Sequence, residues 1–123
     1  MIRTLYGVAS WLLLAFGVVH ISAAPSRFDE VTSGALWFVS GGVLLVLVAS
    51  LNLLNRAYGA AALGVRRVAL AANLVNLALA IASGIVGGSG ITGWVIVLGI
   101  LVPVTVLSVT PGAYGVGGSS RAA

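Results

Sequence analysis

The chain has 123 residues, of which 60% are hydrophobic and 7% charged, with no Cys. A soluble domain carries about 25% charged residues to face water, so six Arg with one Asp and one Glu are too few to clothe such a surface, and lipid is the solvent that fits. The missing Cys exclude disulfides, thiolate metal sites and thiol catalysis. The net charge of +4 comes from Arg scattered at span ends, without the clustered basic and aromatic pattern of a nucleic-acid binder.

A helix needs about 20 apolar residues to cross a hydrocarbon core. The first such run extends from Leu5 to Ser22. Ser10, Gly17 and Ala24 recur every seventh position in it, with His20 one turn after Gly17. Arg3, the apolar run and Ser22-Ala23-Ala24 outline a signal peptide. Pro25 after the expected cut and the length of the run argue that it stays as a span. A polar link, 25–33, carries Arg27, Asp29 and Glu30. The second run, 34–54, places Gly34, Gly41, Val48, Asn52 and Asn55 on one face. A longer separator, Asn55 to Arg67, precedes the third run, 68–86.

The third run has the clearest pattern. Ala69, Asn73, Asn76, Ala80, Ser83 and Gly87 recur at spacings of three and four, a helical stripe of small and polar side chains. Leu70, Leu74, Leu77, Ile81 and Ile85 form the opposing stripe. In lipid, small and polar faces pack on other helices while large aliphatic faces meet acyl chains. After a Gly-Gly-Ser-Gly turn at 87–90, the fourth run covers 91–109, with Gly99, Pro103, Thr92 and Thr110 on one face. Pro103 lacks the backbone donor of that turn and should bend the helix. The Gly- and Ser-rich tail, 111–123, is expected to be disordered and cytoplasmic.

Unbroken runs of this length exclude barrel strands of roughly ten alternating residues, and backbone groups in lipid must be satisfied internally. The expected fold is therefore all-α, a polytopic membrane four-helix bundle of two helical hairpins within residues 1–110. Arg3, Arg56, Arg66, Arg67 and Arg121 fall on one side, against Arg27 on the other. The positive-inside rule then places both termini and the central link in the cytoplasm, with the chain in the inner membrane. Tyr6, Trp37, Tyr58 and Trp94 lie near span ends, as an aromatic belt requires, and Trp11 sits mid-span.

Seven polar residues are the candidates for function: His20, Asp29, Glu30, Asn52, Asn55, Asn73 and Asn76. The four Asn, with Thr105 and Ser108, share the cytoplasmic half and form either a polar cavity or a set of interhelical hydrogen bonds, each worth about 0.6 kcal/mol. The bland reading is the better founded one for most of them. Asn76 resists it most, because it lies nearest the bilayer middle. Leu51-Asn52-Leu53-Leu54-Asn55 and Ala72-Asn73-Leu74-Val75-Asn76 echo one another and suggest a matched polar contact between neighbouring helices. His20 with Asp29 and Glu30 has the ligand types of a metal site or proton relay, but one His beside adjacent carboxylates matches no metal motif. A hydrogen bond from His20 to a loop carbonyl or to Asp29 is the plainer expectation.

No span contains a carboxylate, which argues against a proton-coupled exporter of the small multidrug type. There is no paired His for haem, no Ser/His/Asp set and no phosphate loop, so neither a catalytic residue, a metal nor a cofactor is expected. His20, Ala35-Leu36-Trp37-Phe38 and Leu51-Asn52-Leu53-Leu54-Asn55-Arg56 resemble small bacterial four-span membrane proteins of unassigned function. That resemblance covers the first half of the chain and implies no activity. The expected task is that of a non-enzymatic accessory or binding subunit, whose partners are the lipid bilayer and a second copy or another membrane protein. An oligomeric transporter or channel is the first alternative, and a membrane enzyme or cofactor binder using His20 the second.

Overall fold

The computed structural model describes residues 1–114. Every regular element among them is a helix: α1 (Ile2–Ser22), the one-turn α2 (Ala24–Arg27), α3 (Ser33–Tyr58), α4 (Leu63–Val86) and α5 (Ile91–Val109). The four long ones run up, down, up and down as two hairpins, α1 with α3 and α4 with α5. Going round the bundle, α1 touches α3 and α5, and α4 closes the ring between them. By length and composition each of the four can cross a membrane.

The distribution of side chains is inverted relative to a soluble bundle. Ser10, Asn52, Asn55, Asn73, Asn76 and Ser108 are buried, while Trp11, Leu12, Val19, Leu47, Leu74, Val75 and Val106 are exposed. Large exposed apolar surfaces mark contact with something apolar, and polar groups at the seams with aliphatic groups outside is how helices pack in lipid.

The helices outrun the apolar stretches at the central link. Residues 55–67 were expected to form a long separator, but α3 continues to Tyr58 and α4 begins at Leu63, so only a tight turn remains. Apolar length reports the hydrocarbon crossing alone. Beyond the apolar run the backbone goes on bonding helically through Asn55, Arg56 and Tyr58, because helical bonding does not require apolar side chains. At the opposite end, Thr32 caps α3 by accepting the Ala35 amide at 3.2 Å. The turn at 87–90 is a Schellman motif: Gly88 adopts a left-handed φ of 64°, its amide donates to Ile85 O, and Ser89 N donates to Gly84 O at 2.9 Å.

The α1–α3 seam is built on glycine. A Cβ at Gly42 would lie 3.1 Å from Gly17 O and 3.1 Å from Ile21 N, and one at Gly17 would lie 3.0 Å from Gly42 O. The two backbones approach closely because neither residue carries a side chain. Trp94 packs in the same way over Gly84, where a Cβ would meet its ring at 2.7 Å.

Several expected faces change. On α5 the stripe of Thr92, Gly99 and Pro103 is exposed, and Leu101, Val104 and Ser108 turn inward instead. That helix is apolar all round, so its own pattern cannot choose a face. On α4, Ser83 and Gly87 are exposed and Gly84 is buried, while Leu77, expected to meet lipid, packs against the core. On α3, Gly34 is exposed beside its N-cap. The tail was expected to be disordered from 111. Residues 111–114 instead fold back, with Ala113 fully buried in the core and Tyr114 beneath the Arg66 guanidinium at 5.4 Å. The rest of that expectation, from 115 on, lies outside the described residues.

Candidate functional site

The buried polar residues divide into two groups that differ in whether their hydrogen bonds close. In the first group every amide donor finds an acceptor. Asn52 and Asn73 exchange both amides, Asn52 Nδ2 donating to Asn73 Oδ1 at 2.7 Å and Asn73 Nδ2 donating to Asn52 Oδ1 at 2.9 Å. Asn52 Nδ2 also donates to Val48 O at 2.7 Å. The Tyr6 hydroxyl donates to Asn52 Oδ1 at 2.6 Å and accepts from Asn55 Nδ2 at 3.0 Å. Asn55 Nδ2 further reaches Ser108 O at 3.1 Å. That carbonyl belongs to the last turn of α5 and has no helical partner.

This network ties all four long helices together at one level, and the echoed Asn motifs of α3 and α4 supply its centre. Thr105 and the Ser108 hydroxyl bond within α5, to Leu101 O at 2.8 Å and Thr105 O at 2.7 Å. Tyr6 is the member that sequence reasoning missed. Assigned to the aromatic belt, it is instead fully buried. The signal was available: Tyr6, Ser10, Leu13 and Gly17 follow the spacing of a single helical face, and all four are buried.

The second group faces a cleft of about 840 Å³ in the half of the bundle that bears the 24–32 link and the 87–90 turn. All four long helices line it. Leu45, Leu101 and Asn76 belong to its lining and are themselves buried, so they form its deep end. Phe16, His20, Phe28, Trp37 and Phe38 gather where α1 ends and α3 begins. His20 stacks on Phe38 with ring centroids 3.9 Å apart, and Phe28 tilts against the same ring at 5.6 Å. Arg27 lies over Phe38 at 5.5 Å.

Asp29 and Glu30 are exposed, whereas His20 is half-buried among aromatic rings. The expected meeting of His20 with these carboxylates is therefore replaced by stacking. The link turns through α2 and sends Phe28, not the acids, back onto the bundle. No cluster of three His, Cys, Asp or Glu forms among the described residues.

Two buried polar atoms lack a partner among the described residues, Asn55 Oδ1 and Asn76 Nδ2. The first lies against Gly59, whose missing side chain makes room for it. The second belongs to a residue only 3% exposed that lines the cleft. Its isolation follows from antiparallel packing. Asn52 and Asn73 meet across the hairpin, so Asn55 continues toward the central turn and Asn76 away from it. The second Asn of one motif can never face the second Asn of the other.

No family model matches the chain, and neither the curated proteins nor the solved structures provide a match. The resemblance carried by His20, 35–38 and 51–56 stands on those motifs alone.

Proposed function

We propose that this is a multi-pass inner-membrane protein with both termini in the cytoplasm, acting as a non-enzymatic binding subunit that holds an apolar small molecule in its cleft. The cleft carries the reading. Its volume lies within the 300–1,000 Å³ typical of ligand sites, and its lining is mostly aliphatic and aromatic with a few polar groups. Buried Leu45 and Leu101 line its deep end, and buried Val48 and Val104 follow them one turn on along α3 and α5, toward the level of the Asn52–Asn73 network. A site whose lining is mostly apolar suits binding better than conduction, which needs a continuous polar path. His20 without a carboxylate beside it lacks the oriented partner that acid–base chemistry requires.

Purification in mild detergent followed by native mass spectrometry tests the reading. The expected result is an added mass from an apolar small molecule on the wild type, lost in Ala80→Phe, because Ala80 lines the cleft and a ring there fills it. Bare protein in both samples would sink the proposal.

The orientation rests on Arg. Arg56 Nε donates to Arg3 O at 2.9 Å, which places those two guanidinium-bearing residues at one end of the bundle, with Arg66 and Arg67 at the start of α4 beside them. Reporter fusions at Ala123 and within 26–32 should read cytoplasmic and periplasmic respectively. A periplasmic signal from Ala123 is the contrary outcome.

A further inference from the structure

We infer that Arg56 holds the phosphate of an anionic phospholipid, at the end of the bundle that bears the 59–62 turn. This goes beyond the binding-subunit reading. It rests on the multi-pass membrane setting and does not involve the cleft, which lies in the other half of the bundle. Three observations carry it: a guanidinium fixed against α1, terminal nitrogens left without partners, and an end of the bundle that has no acidic side chain.

Arg56 stands two residues before the end of α3 at Tyr58. Its Nε donates to Arg3 O, in the first turn of α1, at 2.9 Å. The guanidinium lies over Gly7, where an added Cβ would come within 2.7 Å of Nε and 3.0 Å of Cζ. Gly7 is therefore the floor on which the planar group rests, and the Arg3 carbonyl sets its rotation. A fork held in this way has already lost much of its side-chain freedom, so less is lost when a ligand arrives. The bond to Arg3 O is the one hydrogen bond that the Arg56 side chain makes among the described residues. The buried polar atoms without partners among those residues are Asn55 Oδ1 and Asn76 Nδ2 alone, so Nη1 and Nη2 of Arg56 are open rather than sealed.

Charge selects the partner. Asp29 and Glu30 are the only acidic side chains in the sequence, and both lie in the link at the opposite end. The end that bears Arg56 holds Arg3, Arg66, Arg67 and the Met1 amino group instead. Arg66 is engaged over Tyr114, while Arg3 and Arg67 are exposed. A guanidinium fork matches a phosphate through two parallel N–H···O bonds, and a bilayer presents phosphates at the level where spanning helices end. A zwitterionic headgroup would also bring an ammonium, and no carboxylate side chain stands at this end to receive it. An anionic headgroup adds attraction from every Arg near the surface.

The test titrates the protein in non-ionic detergent micelles with phosphatidylglycerol or with phosphatidylcholine of the same chains, and counts bound lipid by native mass spectrometry. The expected result is about ten-fold tighter binding of phosphatidylglycerol by the wild type, a ratio equivalent to about 1.4 kcal/mol. Arg56→Gln should lose most of that preference. Arg56→Lys should lose nearly as much, since a point charge lacks the fork. Arg67→Gln removes an equal charge from the same end and should keep the preference. Dimethyl phosphate, the same diester without its chains, should not displace the lipid.

Equal affinities for the two lipids in the wild type, a comparison that needs no variant, would overturn the inference. An equal loss in Arg56→Gln and Arg67→Gln would do the same, because net charge alone would then draw the lipid. Displacement by dimethyl phosphate would replace the lipid with a soluble anion as the ligand. Loss of the preference in Ala80→Phe would also sink the inference, by placing the lipid in the cleft. A preference that Ala80→Phe retains upholds it, whether or not the cleft itself is found to hold a ligand.

Discussion

Gly42→Leu is expected to separate α1 from α3 and to lower stability by about 3 kcal/mol, the upper end of ordinary overpacking. The atoms that a Cβ at Gly42 would meet include Gly17 O and Ile21 N, both at 3.1 Å, and backbone cannot move aside by changing rotamer. Ile21 Cγ1, at 2.5 Å, would also have to shift. Gly42→Ala should cost less and Gly17→Ala a similar amount. The two share one seam, so the pair should be non-additive. Gly99→Ala is the control, because nothing lies within 4 Å of its added Cβ. In the middle of α5 it should be neutral or mildly stabilising through helix propensity. Unfolding by SDS in mixed micelles reads all four variants. Equal stability of Gly42→Leu and Gly99→Ala would show that the close approach is not what holds the hairpin.

Asn52→Leu should be nearly as damaging, by about 2 kcal/mol. The substitution removes the acceptor of Tyr6 and both partners of the Asn73 amide. Three interhelical hydrogen bonds at the membrane average of about 0.6 kcal/mol give that figure, and it rises where a stranded group cannot find another partner. A double-mutant cycle isolates the pair. Asn73→Leu should cost clearly less in the Asn52→Leu background than in the wild type, since its partner is already gone. Leu74→Ala, one residue away but 51% exposed, should be close to neutral. Full additivity of the two Asn substitutions would mean that the reciprocal amide pair does not contribute as a unit.

The same two seams mark where reading from sequence succeeds and where it stops. The existence, number and approximate place of the four long apolar helices were legible, because a run of apolar chain long enough for a hydrocarbon core can be counted directly. The fourth span, 91–109, coincides with α5. The interior face of α4 near Asn73 was legible too, since polar side chains in an otherwise apolar helix have to turn toward other helices. A polar contact between α3 and α4 followed from the echoed motifs, and the structure gives its pairing as Asn52 with Asn73.

Tyr6, the face of α5 and the lone position of Asn76 were decided by the tertiary structure. A Tyr near a helix end is equally at home in a headgroup belt or inside a bundle. It is buried here because Asn52 and Asn55 of α3 stand at its level to take and give hydrogen bonds. A helix apolar on every side has no preferred face until its neighbours offer one, and Asn55 reaching Ser108 O helps to set that rotation. Local sequence specifies which groups need partners. Only the antiparallel register of α3 on α4 specifies that Asn73 finds one and that Asn76, three residues on, is carried past the network that would have partnered it.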